Sequence, residues 1–202
     1  MTSLDSLFPD ITDPAVTDRL RARLGAAAAA DGLLDVAYRT LDTPVGRITI
    51  AATPVGVVRV ALPNQPLEGV LADLAERVSP RILHAAASLD AISHQIDDYF
   101  SGSRHHFELP LDMTLAHGFR RTVLDELRHV PYGQTASYAD LAAAAGNPRA
   151  VRATGTACAT NPIPIVIPCH RITRSDGTLG NYGGGQDVKR ALLLLEGAIH
   201  DE

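Results

Sequence analysis

Cys169 stands in the segment of this 202-residue chain whose residue types are best suited to chemistry. It follows the apolar, β-prone run 163–168 and precedes His170 and Arg171. Only the thiolate of a cysteine is an effective nucleophile, and neighbouring positive charge raises the thiolate fraction at neutral pH. This setting indicates a nucleophile and leaves its target open. The other cysteine, Cys158, lies among alanines, and we expect it to pack in the core.

The composition narrows the class of protein. The chain is 46% apolar and 20% charged, as is usual for a soluble globular protein, and it is long enough to bury a core. Its apolar stretches are far shorter than the roughly 18 residues of a membrane span, and no secretory signal is seen. Two cysteines without a disulfide framework fit a reducing, cytoplasmic setting. The eight histidines are scattered without cysteine partners, so we expect no metal and no cofactor.

The charge is unevenly distributed between the two halves of the chain. A net charge of −5 argues against a general nucleic-acid binder. Residues 1–110 carry nine arginines against 14 acidic residues, whereas residues 111–202 carry nine basic and nine acidic residues. The second half therefore tolerates phosphate better, which permits DNA binding without establishing it. Four of its arginines lie near Cys169 in sequence: Arg149, Arg152, Arg171 and Arg174.

The first half of the chain predicts an α+β unit. We expect residues 1–33 to form an extension, with a short amphipathic helix capped by Asp13 and a linker-like stretch at 25–32. Three β-prone runs separated by Pro- and Gly-containing turns then indicate an antiparallel meander. Helices should follow over about 67–78 and 87–101. The strands are predicted at 35–41, 46–52 and 56–62.

The second half is predicted to be helical, and turn residues near 102–110 suggest a domain boundary before it. Two of its helices are short and are joined by the tight turn 146–148. Ser137 should cap the first of them and Asn147 the second. Such a pair is typical of a helix-turn-helix, although alanine-rich helix pairs also occur as plain packing. The helices are expected at about 117–130, 138–145, 149–159 and 186–197.

Small residues and glycines give two further features. A glycine-rich loop at 177–185 lacks the spacing of a nucleotide-binding fingerprint. It is either a flexible surface loop or the wall of a pocket in which a planar group lies against backbone and Tyr182. The second helix of the pair would approach another backbone closely because many of its residues are small: Ala150, Ala153, Gly155, Thr156 and Ala157.

Seven short motifs together resemble the O6-alkylguanine-DNA alkyltransferases, a family of suicide DNA-repair proteins. They occur in the family's order and spacing over about 115–198, whereas residues 34–110 fit more weakly and 1–33 have no counterpart. The motifs are VPYGQ at 130–134, SY at 137–138, GNPRAVRA at 146–153, NP at 161–162, IPCHR at 167–171, GNYGG at 180–184 and LEG at 195–197.

The resemblance implies an α+β fold in two domains. A ribonuclease H-like domain with an antiparallel sheet would occupy 34–110, after the extension 1–33. A mostly helical domain over 111–202 would bind DNA and hold the alkyl acceptor.

The resemblance also implies a mechanism. The thiolate of Cys169 would take the alkyl group from O6 of guanine in one irreversible turnover, with O4-alkylthymine left open as a second substrate. His170, through a water, would accept the thiol proton, and Glu196 would orient and charge-balance that histidine. Asn161 would shape the bend around the cysteine loop. Tyr138 would help rotate the nucleotide and donate a proton to the leaving guanine.

The implied partner is double-stranded DNA, bound by a monomer through the minor groove, with no membrane involved. Arg152 would fill the gap left when the damaged base is flipped out, and an alkylated, weakly paired guanine is easier to extrude. Arg149, Ala153, Thr156 and Tyr138 are the remaining predicted DNA contacts. The predicted base pocket consists of Pro164, Val166, Tyr182, Gly183 and Gly184.

Two departures from the family pattern matter. The chain lacks the N-terminal cysteines of members with a structural zinc, so no zinc is expected. Gly183 stands where members often carry serine or another side chain, which would widen the pocket for bulkier adducts.

Three rival functions are less consistent with the sequence. A non-catalytic lesion binder would lack the cysteine at 169. A helix-turn-helix regulator that senses electrophiles would carry Asn, Gln or Arg for base reading on its second helix, which is instead mostly small. In a cysteine hydrolase the base usually comes from a distant segment rather than from the adjacent His170.

Overall fold

β-Branched residues and glycine-containing turns build the first half of the chain into a sheet. The structure, a computed structural model, describes residues 14–200. The strands are β1 (Val36–Thr43), β2 (Gly46–Ala52), β3 (Val57–Ala61) and β4 (Ile82–His84). The pairs β1–β2 and β2–β3 are antiparallel, which confirms the predicted meander. β4 joins β1 in parallel and was missed, because three residues are too few to show a strand pattern.

The helices of the first half are α1 (Pro14–Ala30), α2 (Leu67–Arg77) and α3 (Asp90–Phe100), the last preceded by a 3₁₀ turn over Ala86–Leu89. α2 and α3 confirm the two predicted helices, while the proposed cap Asp13 lies outside the described residues.

The linker expected at 25–32 is wrong. α1 continues to Ala30, since alanine has the highest helix propensity, and Gly25 seats the helix against Ala85. A Cβ on Gly25 would lie 3.1 Å from the Cβ of Ala85. The predicted apolar face of α1 is not buried either, because Leu20 and Leu24 are 48% and 57% exposed.

The second half contains α4 (Gly118–Leu127), α5 (Tyr138–Ala144), α6 (Val151–Ala159) and α7 (Gln186–Leu195). Ser137 caps α5 as predicted: its hydroxyl accepts from the Asp140 amide while the Asp140 carboxylate accepts from the Ser137 amide. A parallel bridge between β5 (Ala136–Ser137) and β6 (Ile172–Thr173) holds the start of α5 beside the chain leaving Cys169.

Asn147 does not cap α6, contrary to expectation. Gly146, with a φ of 80°, and Asn147 instead close α5 in a Schellman motif, their amides donating to the carbonyls of Ala143 and Ala142. The Asn147 carbonyl accepts from the amide of Ala150, so the chain is still turning there. α6 therefore begins at Val151, two residues later than predicted.

The apolar run before Cys169 is not a strand. It forms a buried tight turn in which Pro164 bridges Ile167 and Ile165 has a φ of 73°. A β-branched residue in this left-handed region costs on the order of 1–3 kcal/mol, and complete burial of Ile165 holds it there. The turn delivers Cys169 into the protein interior.

One apolar core joins both halves of the chain. It extends from Ile48 and Ile50 of the sheet through Ile96 of α3 to Leu124 of α4 and Leu192 of α7, and both cysteines belong to it. A smaller cluster lies between α2 and the sheet. Within residues 14–200, no helix has the length and apolarity needed to cross a membrane.

Candidate active site

Asn161 organises the loop that carries Cys169. Its Nδ2 donates to the Cys169 Sγ (3.1 Å) and to the Ile167 carbonyl (2.8 Å), and its Oδ1 accepts from the Ile163 amide (3.0 Å). The Cys169 amide donates to the carbonyl of Ile167 (2.8 Å). One side chain therefore ties the two ends of the loop to each other and to the sulfur.

The Cys169 thiol gains no stabilisation of its thiolate from positive charge on its sequence neighbours. Cys169 is 4% exposed, and burial raises its pKa to about 11, opposed by the Asn161 hydrogen bond and the charge of Lys189. Arg171 was expected to favour the thiolate, but its guanidinium turns toward Glu196. The thiol is therefore protonated at neutral pH, and its reaction requires a base.

Glu196 is the centre of a buried hydrogen-bond network. Its Oε1 accepts from His170 Nε2 (2.9 Å), Tyr99 OH (2.7 Å) and Arg171 Nη2 (2.9 Å), and its Oε2 accepts from Arg171 Nε (2.8 Å). Burial raises the pKa of Glu196, but hydrogen bonds from His170 and Arg171 outweigh it and bring the pKa to about 2. Glu196 is thus an ionised carboxylate whose charge Arg171 neutralises.

The Glu196 carboxylate determines which ring nitrogen of His170 carries the proton. The imidazole is fully buried, and burial lowers its pKa against the opposing effect of Glu196. Since an ionised carboxylate can only accept, we assign the ring proton to Nε2, which leaves a lone pair on Nδ1. Nδ1 is buried and has no hydrogen-bond partner within residues 14–200. His170 is therefore built as a neutral base with one free acceptor atom.

Tyr99 and Arg171 are parts of the network that sequence reasoning missed. Tyr99 is one of the buried residues of α3, and burial raises the pKa of its hydroxyl, so it remains a donor. Nothing in the sequence connects it with a glutamate 97 positions away. Arg171 is the last residue of the IPCHR motif, and its charge could have been paired with Glu196; it also donates to the Val130 carbonyl (2.6 Å) and lies over the Tyr132 ring.

A cavity of about 30 Å³ lies against Cys169. Of the five predicted base-pocket residues, Pro164, Tyr182 and Gly183 line it. Val166 does not, because the tight turn at 163–167 sends it to a cleft on the other side of the loop. Gly184 does not line it either, but it packs against two residues that do: a Cβ there would lie 2.9 Å from Leu62 Cδ1 and 3.1 Å from Tyr182 Cε1.

The size of this cavity limits what can enter. A cavity that admits benzene measures roughly 150 Å³, so a space of about 30 Å³ is too small for a bicyclic purine. A wall must therefore move before a base can enter. Cys158 also lines the cavity, so it belongs to the site's surroundings as well as to the predicted core packing.

The glycine-rich segment 180–184 forms the outer wall. Its attachments are few: the Asn64 side chain donates to the Gly183 carbonyl (2.8 Å), and Tyr138 donates to the Asn181 carbonyl over a long 3.5 Å. The Tyr182 hydroxyl is buried without a hydrogen-bond partner in the described chain. Burial raises the pKa of the half-buried Tyr138, so its hydroxyl keeps its proton at the edge of the site.

The predicted DNA-binding residues share one exposed surface. Arg152, Ala153 and Thr156 are exposed on α6, and Arg149 is exposed in the turn before it. The two arginines make no ion pair with any described residue. The opposite face of α6 is buried, and its C-terminal end reaches the cavity at Cys158. A cationic helix surface therefore lies next to the entrance of the cysteine site.

Comparisons with known proteins match both parts of this structure. The pattern of the 6-O-methylguanine DNA methyltransferase ribonuclease-like domain matches residues 36–113, and that of the DNA binding domain of the same family matches residues 118–198.

Individual relatives extend the match over most of the chain. The methylated-DNA–protein-cysteine methyltransferase of Mycolicibacterium paratuberculosis is 37% identical over 80% of this chain and 92% of its own length. The constitutive enzyme of that name from Bacillus subtilis is 36% identical over 82% of this chain and 98% of its own.

Solved structures agree with the sequence relatives. The Mycobacterium tuberculosis O6-methylguanine methyltransferase superposes with a TM-score of 0.69 at 35% identity, covering 80% of this chain and 93% of that one. The same tuberculosis protein in complex with DNA gives a TM-score of 0.69 at 34% identity, covering 80% and 92%. These matches confirm the α+β fold class, and the chain belongs to the O6-alkylguanine-DNA alkyltransferase family.

Proposed function

We propose that this chain repairs DNA by moving an alkyl group from O6 of guanine to the sulfur of Cys169. One observation carries the assignment: a buried cysteine adjoins a buried neutral histidine whose Nε2 is held by an ionised glutamate and whose Nδ1 is free. That combination supplies a nucleophile, a base and an orienting group in the order that nucleophilic catalysis requires.

The reaction replaces a carbon–oxygen bond of the base with a carbon–sulfur bond of the protein. The Cys169 thiol releases its proton toward His170 Nδ1 through a water, and the sulfur attacks the alkyl carbon. The bond between that carbon and O6 breaks, and guanine leaves with a proton supplied by Tyr138; solvent then reprotonates Tyr138 and removes the proton that His170 accepted, so no net proton is gained or lost. The protonated His170 is stabilised by Glu196, which stays ionised. A neutral thioether resists water, so each protein molecule reacts once.

DNA binding is assigned to the exposed surface of α6, in the minor groove. Small side chains such as Ala153 and Thr156 permit close approach of the helix, and Arg152 would occupy the space of the flipped base. A base-reading major-groove helix would need larger polar side chains at these positions. O4-alkylthymine is left as a further candidate substrate.

The remaining assignments concern the chain as a whole. The protein would act as a cytoplasmic monomer. It would consist of the extension 1–33, a domain over 34–110 and a domain over 111–202. The two family patterns, at 36–113 and 118–198, support this division.

Intact-mass measurement after incubation with an O6-methylguanine oligonucleotide tests the proposal. We expect one added methyl group, mapped to the peptide with Cys169 and absent in Cys169→Ala. Cys158→Ala is the matched control and should still gain the methyl group. Turnover beyond one equivalent, or methylation that survives Cys169→Ala, would contradict the mechanism.

A further inference from the structure

A second cleft, of about 350 Å³, lies next to the cysteine cavity. It opens between α2, β3 and the segment that follows α6. Gln65, Ala159 and Asn161 line both spaces, so the two are separated by a single layer of side chains. A β3 hydrogen bond, from the Val60 amide to the Pro162 carbonyl (2.9 Å), holds this part of the molecule together. The cleft and the cysteine cavity are therefore immediate neighbours.

The cleft holds more positive than negative charge. Arg59, Arg77 and Arg120 line it, and Asp73 is the acidic residue among its lining side chains. Arg77 Nη1 lies 3.1 Å from Asp73 Oδ1, whereas Arg59 Nη1 is 3.9 Å from Asp73 Oδ2. Arg120 forms no hydrogen bond or ion pair within the described chain. One carboxylate is thus shared unequally between two guanidinium groups, and the third has none.

The arginines are also incompletely satisfied as hydrogen-bond donors. The Nε atoms of Arg59 and Arg120 are buried and have no partner within residues 14–200. Burial lowers the pKa of both groups, and the charge of Arg77 lowers it further. Buried polar groups normally find partners, so an arrangement that holds three guanidinium groups together without enough acceptors fits an external anion.

We propose that Arg59, Arg77 and Arg120 bind a backbone phosphate of the DNA strand whose base enters the cysteine cavity. A flipped nucleotide keeps its phosphodiester links, so its neighbouring phosphates must lie close to the cavity entrance. Arginine guanidinium groups suit phosphate because their planar donors match its oxygens. This assignment rests on the proposed function, and it extends the DNA surface from α6 to the sheet half of the molecule.

Arg120→Gln tests the site, with Arg121→Gln as the matched control. Arg121 is the next residue on α4, is exposed, and pairs with Asp125 away from the cleft. Both variants lose one charge. In a Cys169→Ala background, the Kd for an O6-methylguanine duplex is measured over a series of salt concentrations. We expect Arg120→Gln to weaken binding roughly tenfold and to reduce the slope of log Kd against log salt by about one.

Further variants and ligands separate the possible outcomes. Arg121→Gln should leave the slope as it is, and Arg120→Lys should restore it. Circular dichroism establishes that each variant is folded. Equal slopes for Arg120→Gln and Arg121→Gln would overturn the proposal. A second outcome would also overturn it. If inorganic phosphate stabilised the parent protein but not Arg120→Gln, while the salt slopes of Arg120→Gln and Arg121→Gln for DNA were equal, the cleft would bind a free anion and not a DNA phosphate.

A different experiment tests the proposed repair function independently of the phosphate site. Transfer of a benzyl group from free O6-benzylguanine to the wild-type protein needs no phosphate contact. If the wild-type protein accepts no alkyl group from this base or from DNA, the repair assignment fails. The salt slopes still decide whether the arginine cleft binds a DNA phosphate.

Discussion

The two sides of Cys169 are built in opposite ways. On the side of Glu196, each carboxylate oxygen accepts hydrogen bonds from buried donors, and Arg171 balances the negative charge. On the side of the cavity, few hydrogen bonds hold the wall at 180–184, and the Tyr182 hydroxyl lacks a hydrogen-bond partner within the described chain. The first side is complete before substrate arrives, whereas the second must rearrange to admit it.

This difference separates chemistry from substrate entry. A preorganised network needs no reordering at the moment of reaction, which is where electrostatic stabilisation is most effective. A wall built from glycines and held by few contacts can open at low cost. The His170 and Glu196 pair should therefore control reactivity and stability together, while Gly183 and its neighbours should control which adduct enters.

The largest expected effect comes from Glu196→Gln. The change removes the charge that pairs with buried Arg171 and turns one acceptor oxygen into a donor group. Breaking a buried ion pair in this way costs about 3–5 kcal/mol in the free energy of unfolding. Urea denaturation measures that loss, and transfer from free O6-benzylguanine should be lost as well.

Glu126→Gln is the matched control for this prediction. Glu126, near the end of α4, pairs with the exposed His129 just past that helix, and such surface pairs contribute about 0–1 kcal/mol. If Glu196→Gln lowered the free energy of unfolding no more than Glu126→Gln does, the buried network would stabilise the fold no more than a surface ion pair.

The same network predicts how stability depends on pH. The pKa of His170 is lowered from 6.5 in the folded state, so below pH 6.5 the unfolded chain binds the extra proton. The pKa of Glu196 is lowered from 4.5 to about 2, so its contribution is complete above pH 4.5 and is lost as the pH falls toward 2. Urea unfolding between neutral pH and pH 4.5 should show a falling free energy of unfolding. A flat profile through pH 6.5 would contradict a buried neutral His170.

Sequence patterns predicted most of the fold because most elements are locally encoded. The meander of β1 to β3, the helices α2 and α3, and the Ser137 cap all follow from periodicity and turn or cap residues. β4 was missed because its partner residues on β1 lie 46 positions away (Val36 pairs with Ile82) and the strand itself is short. The 163–168 run read as a strand, but prolines and the left-handed Ile165 fold it into a turn.

The candidate site was only partly predictable. The sequence motifs identified Cys169, His170 and Glu196 as site residues, and the structure brings them together with Asn161. The Tyr99 contact depends on α3 lying beside Glu196 at the C-terminal end of α7, which no local pattern encodes. The charge argument for Cys169 was wrong for the same reason: Arg171 is two positions from Cys169 in sequence, but tertiary structure directs its guanidinium to Glu196.

Asn161→Ala tests how firmly the cysteine loop is held between the two sides. It removes three hydrogen bonds, to the Cys169 sulfur, the Ile167 carbonyl and the Ile163 amide. We expect a loss of about 2 kcal/mol in stability. The pKa of Cys169, raised to about 11 by burial, should rise further, because one opposing effect disappears. The pH dependence of iodoacetamide alkylation measures this shift, and an unchanged profile would argue that Asn161 only supports the backbone.

The smallest effect is expected at the movable wall. A Cβ on Gly183 would meet only the Ala159 carbonyl oxygen, at 3.6 Å, so Gly183→Ser fits without displacing the chain. The added side chain narrows the cavity, and the rate ratio for O6-benzylguanine over O6-methylguanine should fall while stability stays within about 0.5 kcal/mol. Gly69→Ser, on exposed helix α2 with nothing within 4 Å of its Cβ position, is the control. An unchanged ratio in Gly183→Ser would place the selection of adducts elsewhere than this wall.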